Sequence, residues 1–112
     1  MITRLKISRA ATSILASRYN ALRQHFTPNI IVRNAMMFSM NNKDKYDNEE
    51  VGTVGGTEFQ ISTLLGSKVR IYELLLNQYY GKKLSDSELK YIMSFHIEKG
   101  LRNPEFEDAL KY

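Results

Sequence analysis

The stretch Ile2-Thr3-Arg4-Leu5-Lys6-Ile7-Ser8 decides how the rest of the chain is read. Leu5 and Ile7 point to one side while Arg4, Lys6 and Ser8 point to the other, the two-residue period of a half-buried strand. An early helix start is the competing reading. A strand at a terminus needs a pairing partner, and no obvious one follows before the middle of the chain. Pairing with the same strand of a second copy is therefore expected.

From Arg9 the period becomes helical. Ala11, Ile14, Leu15, Tyr19, Leu22 and Phe26 recur at three- and four-residue steps, with Ser13, Ser17, Asn20 and Gln24 opposite and Arg18 and Arg23 at the borders. The helix is predicted to run from Arg9 to about Gln24 and to end before Thr27-Pro28-Asn29, because a residue that precedes proline is biased out of the helical region. Thr27 suits an N-cap and Pro28 the first position of a second helix reaching Met40. That helix is apolar almost all round, with only Arg33, Asn34 and Ser39 interrupting it. It is expected both at the centre of a core and in a subunit interface, the latter through Ile31, Met36, Met37 and Phe38.

Residues 41–62 read as a loop, rich in Asn, Asp and Gly, with Glu58-Phe59-Gln60-Ile61 as a short extended piece. A third helix is predicted over about Thr63 to Tyr80, burying Leu65, Val69, Tyr72, Leu75, Leu76 and Tyr79, with Gly81 ending it. Ser85-Asp86-Ser87-Glu88 is a capping box that opens a fourth helix, which turns Leu89, Ile92, Met93, His96 and Ile97 inward and stops near Gly100. Asn103-Pro104 begins a last short helix whose Glu105, Glu107 and Asp108 suit the positive end of its dipole. The expected fold is mainly α and a single domain over residues 1–112. A basic strand-helix-helix segment spans residues 1–40, the loop 41–62, and a helical part 63–112.

Charge is sorted along the chain. Arg4, Lys6, Arg9, Arg18, Arg23, Arg33 and Lys43 precede the first acid, Asp44, so this part carries +7; nine bases and twelve acids follow, a balance of −3. A polyanion responds to such a patch more than to the net +4. Arg4, Lys6, Arg9, Arg18, Arg23 and Lys43 are the candidate phosphate contacts. Thr27 and Asn29 join them, since the free amides at a helix start favour anions. For Arg33 two readings stay open, a phosphate contact or a pair with an acid such as Glu58. Lys82-Lys83 follows a helix C-terminus, where positive charge is already favourable.

The same sequence narrows the chemistry. With no cysteine in 112 residues there is no disulfide, no thiol chemistry and no zinc site with sulfur ligands. No apolar run approaches about 18 residues and no signal segment is evident, so a cytoplasmic, non-membrane protein is expected. His25 and His96 lack metal-ligand spacing, and His96 falls on a buried stripe as a core residue. Gly52-Thr53-Val54-Gly55-Gly56-Thr57 lacks the Lys-Ser/Thr of a phosphate-binding loop and reads as a mobile loop. Tyr79-Tyr80 suits an interface better than base stacking. No catalytic frame, cofactor or metal is expected.

A basic strand, an amphipathic helix, a turn and an apolar helix resemble the ribbon-helix-helix DNA-binding fold. More specifically, Phe26-Thr27-Pro28-Asn29-Ile30-Ile31-Val32-Arg33 through Ser39-Met40 is similar to the "TPN, apolar, Arg, apolar, Ser" segment of the DndE family. Gly56-Thr57-Glu58-Phe59 with Thr63-Leu64-Leu65-Gly66 resembles that family's Gly-x-Glu-Phe…Thr-Leu-Leu-Gly stretch, and the likeness extends over nearly the whole chain. Ser67, Lys68, Val69 and Arg70 depart from it, standing where the family often has acids. The resemblance implies a component of DNA phosphorothioation, in which sulfur replaces a non-bridging oxygen of the DNA backbone. It also implies a homo-oligomer, tetrameric in the family, that binds duplex DNA, nicked or intact, and works with other phosphorothioation proteins. The rival functions are a ribbon-helix-helix regulator or antitoxin reading a palindromic operator, an adaptor for an acidic protein, and a metal-dependent nuclease.

Overall fold

The computed structural model describes residues 2–43 and 55–111. Strand β1 (Arg4–Ser8) leads directly into α1 (Arg9–Leu22), and a short turn connects α1 to α2 (Pro28–Asn41). Strand β2 (Gly55–Gln60) is followed by α3 (Ile61–Leu65), a 3-10 turn (Gly66–Lys68), α4 (Val69–Tyr80), α5 (Asp86–Arg102) and α6 (Phe106–Lys111). The fold is mainly helical, with a two-stranded antiparallel sheet. Among the described residues no helix is long and apolar enough to cross a membrane.

The strand reading of the first residues holds, but its expected partner does not. β1 pairs with β2 of the same chain, in the register Arg4↔Gln60, Leu5↔Phe59 and Lys6↔Glu58. Leu5 and Phe59 face the core, which leaves Arg4, Lys6, Glu58 and Gln60 on the outer face. Between Lys6↔Glu58 and Ser8↔Gly55 the pairing takes two steps on β1 and three on β2, so β2 carries a bulge. Gly56 permits it, since a Cβ there would lie 1.9 Å from the carbonyl oxygen of Ile7. The predicted loop over residues 41–62 is therefore partly strand and partly the beginning of α3. Residues 44–54, with Lys45 and the Gly52–Val54 part of the glycine-rich segment, lie outside the described residues.

Ser8 ends the strand and caps the helix: its Oγ accepts from the Ala11 amide at 2.9 Å and donates to Glu98 of α5. The core is built on the pair α2 and α5. Their closest approach is at Gly100, where a Cβ would sit 1.9 Å from the Ala35 carbonyl oxygen. Gly100 is thus a packing residue inside α5, and the helix continues past its predicted end to Arg102. Ile31, Val32, Ala35 and Met36 of α2 are all buried in this core. Ile31 and Met36, expected in a subunit interface, are closed within the protomer, because α5 and its neighbours cover that face; Met37 and Phe38 remain half-buried. Phe38 packs against Phe106 of α6 with ring centroids 5.7 Å apart.

The predicted third helix is broken. Gly66 adopts φ +64°, separating α3 from α4. In α4, Leu76 and Glu73 are buried, whereas Ile71, Leu74 and Leu75 are exposed, so the expected burial of Leu75 is reversed. Glu73 Oε1 is buried without a hydrogen-bond partner among the described residues, and Oε2 lies 3.7 Å from Arg70. Gly81 ends the helix in the left-handed region at φ 70°, as expected. His96 is wholly buried, its Nδ1 2.8 Å from Ser39 Oγ and its Nε2 2.6 Å from the Tyr80 hydroxyl, which makes it the satisfied core residue expected. Tyr80 is thereby part of the fold.

Candidate nucleic-acid interface

The alternation of β1 places Arg4 and Lys6 on the outer face of the sheet. Alongside runs the first half of α5. Ser87, Lys90, Tyr91 and Ser94 recur at the spacing of one helix face, and Ser94 Oγ donates to the Lys6 carbonyl at 2.8 Å. That hydrogen bond locks α5 against β1 and leaves the earlier turns of the same face to open a groove. The groove has a volume of about 290 Å³ and is lined by Arg4, Lys6, Glu58, Ser87, Lys90 and Tyr91. Among the described residues three cations and one carboxylate line it, a balance of +2. Glu58 stands opposite Lys6 and reaches Arg4 at 3.4 Å, an exposed and long ion pair of the kind that solvent and salt weaken readily.

The remaining bases of the acid-free region do not all join this groove. Arg9 is exposed at the first residue of α1, next to the end of β1. Arg18 is withdrawn from the candidate surface. Its Nε donates to the Leu101 carbonyl at 2.9 Å, Nη2 to the Asn103 carbonyl at 3.2 Å, and Nη1 to Glu107 at 3.0 Å. These acceptors sit where α5 ends and α6 begins, so the guanidinium is engaged by the fold. Arg23 is exposed at the far end of α1, about 20 Å from Arg9 at 1.5 Å per residue. Thr27 is exposed in the α1–α2 turn, and Asn29 is half-buried in the first turn of α2. Thr27 is the N-cap of α2, but its side chain makes no cap hydrogen bond. Lys43 lies beyond the C-terminal end of α2 at φ 62°. Arg33 does not pair with Glu58, which faces Arg4 instead; its Nη1 lies 3.5 Å from the Leu64 carbonyl oxygen.

Lys90 and Tyr91 were not candidates in the sequence. Lys90 is one of several surface lysines, and Tyr91 sits at an exposed position of a helix read for its buried stripe. The packing of α5 on β1, with the Ser94–Lys6 hydrogen bond across 88 positions, brings them to the basic strand.

The family profile described as DndE, DNA sulphur modification protein, matches residues 4–108, a span that includes β1, the groove residues of α5 and the two motifs around Thr27 and Glu58. The chain belongs to the DndE family. Family membership makes it a component of DNA phosphorothioation. Among solved structures it is similar to DndE from Escherichia coli B7A, involved in DNA phosphorothioation modification, with 26% identity and a TM-score of 0.76 over 90% of this chain and 95% of that one. A G21/24K mutant of DndE shares the fold, at 24% identity and a TM-score of 0.73, over 99% and 98% of the two chains. Comparison with curated proteins found no match.

Proposed function

We propose that this DndE-family chain is a non-catalytic subunit that holds DNA through its sugar-phosphate backbone, nicked or intact, for the phosphorothioation machinery. The observation that carries this reading is the groove in which Arg4, Lys6 and Lys90 converge from two elements far apart in sequence. Phosphate contacts of this kind position a duplex without reading its bases. Arg9 extends the basic surface from the strand end. Arg23, Thr27, Asn29 and Lys43 serve as peripheral contacts to the same strand or its complement.

Self-association and contact with other phosphorothioation proteins belong to the same reading. With Ile31 and Met36 inside the protomer, the apolar residues that a homotetramer would use include Met37 and Phe38 on α2 and Ile71, Leu74 and Leu75 on α4.

The test is DNA binding by fluorescence anisotropy with the double variant Arg4→Ala/Lys6→Ala and the single variant Lys90→Ala. Both are expected to weaken binding of intact and nicked duplex alike while leaving the thermal unfolding transition in place, since all three side chains are exposed. Unchanged affinity in both variants would overturn the assignment of this groove.

A further inference from the structure

Tyr91 is 44% exposed, one of only four large apolar or aromatic side chains so exposed among the described residues, and the only one in the basic groove. Among the described residues its ring stacks on no other aromatic side chain. The flanking helix positions differ: Ile92, Met93 and Phe95 are buried. An exposed ring beside three cations in a cleft is the combination by which proteins hold unpaired nucleotides, the cations tracking phosphate and the ring offering a face to a base. A base inside an intact duplex has both faces occupied by its neighbours, so the ring cannot serve it unless the nucleotide leaves the stack.

Resting on the backbone-holding function proposed above, we infer that the groove takes an unpaired nucleotide, its base stacked on Tyr91 and its phosphates held by Arg4, Lys6 and Lys90. The volume of about 290 Å³ lies at the small end of ligand pockets, a size for one nucleotide and not for a run of them. Stacking is tolerant of base identity, because every base has a π-face. Glu58 tempers the site: its carboxylate reduces the attraction for phosphate alone, so that a phosphate without a base gains less there than on an unopposed basic patch. The groove thereby selects DNA with a displaced or extrahelical nucleotide over perfect duplex.

The experiment uses the full chain and two duplexes that share one sequence and one unbroken backbone. One carries a single extra thymidine as a bulge; the other carries an abasic residue at that position, with the same phosphates and no base. The readout is the ratio of the two affinities for each protein variant. Wild type is expected to favour the thymidine bulge about tenfold, within the range that stacking contributes. Tyr91→Ala is expected to bring the ratio to one, and Tyr91→Phe, which keeps the ring, to preserve it. Equal affinities in the wild type, or a preference that survives Tyr91→Ala, overturn the inference. An intact duplex measured in parallel separates the two readings: binding to it with no bulge preference refutes only the role of Tyr91, whereas no binding to any of the three at low salt refutes the backbone-holding function as well.

Discussion

Arg4 and Arg18 come from the same acid-free stretch, but their surroundings give them different work. Arg18 donates to two carbonyls and a carboxylate around the α5–α6 junction, and its side chain is only 20% exposed. Replacement by alanine orphans those acceptors, so Arg18→Ala is expected to lower unfolding stability by about 2–3 kcal/mol in a denaturant titration. The salt slope of DNA binding should not change, because Arg18 is withdrawn from the candidate surface. Arg4 is mostly exposed, and among the described residues its ion pair is the loose one with Glu58. Glu58→Gln removes the one carboxylate that the described residues place in the groove and is expected to tighten duplex binding about fivefold, equivalent to about 1 kcal/mol for an exposed charge. Unchanged or weaker binding in that variant would mean that Glu58 positions Arg4 and does not oppose phosphate. At this scale the sequence tells which residues are basic but not which are free. Nothing near Arg18 in the chain announces Glu107, and nothing near Lys6 announces Lys90. The fate of His96 was legible, because its place on the buried stripe of a strongly patterned helix already demanded hydrogen-bond partners.

Elements with a clear period and clear caps were legible in advance: α1, α2 and the start of α5 follow the predicted pattern to within a few residues. The capping box of α5 is complete, with Ser85 Oγ accepting from the Glu88 amide at 3.2 Å and Glu88 Oε1 accepting from the Ser85 amide at 3.0 Å. Lys82 Nζ donates to Glu88 Oε2 at 2.8 Å, and this bond, with the help of Ser85, holds the Glu88 carboxyl down from the ordinary 4.5 to about 2. The folded state therefore binds that proton less readily than the unfolded chain does. Its stabilising contribution is whole above about pH 4.5 and is lost as pH falls towards 2. Glu88→Gln is expected to flatten the acid limb of a stability-versus-pH curve in that window and to leave the slope above it unchanged. The crossing of α2 and α5 offers a second check. A methyl at Gly100 would strike the Ala35 backbone, so Gly100→Ala is expected to cost about 1–3 kcal/mol by overpacking, read as a lower midpoint of chemical denaturation. β2 was legible only in its second half, as the extended piece that begins at Glu58, and its start was hidden by its glycines. Gly55 and Gly56 carry the signature of a turn, and here Gly56 lets two strands approach where a side chain would collide. Leu75 alone was misplaced on α4, whose Val69, Tyr72 and Leu76 do pack on the core, because Leu74-Leu75-Leu76 puts three apolar groups in a row and blurs the edge of the stripe.

For the whole molecule, the sorting of charge is partly undone by folding. Of the seven bases that precede Asp44, Arg4 and Lys6 meet in the groove, Arg18 is engaged by the C-terminal helices, and Arg23 lies at the opposite end of α1. A third groove cation, Lys90, comes from the half of the chain whose balance is −3. On the proposed function, the field offered to a DNA strand is assembled by the β1–α5 contact, and the sequence order of charges describes it only in part. This leads to a quantitative expectation. Each phosphate neutralised contributes about 0.9 to the slope of log affinity against log salt on duplex DNA, so one protomer using three groove cations should show a slope of about −2.7. Two protomers engaged on one duplex should show about −5.4, and contacts from Arg9 or the α1–α2 turn would add to either value. Light scattering at each salt concentration supplies the mass of the bound species, so that the slope can be divided by the number of protomers. Arg4→Ala/Lys6→Ala should then remove about 1.8 per engaged protomer, and Lys90→Ala about 0.9. A per-protomer slope near zero in the wild type, with binding still present, would mean that affinity comes from contacts other than these cations.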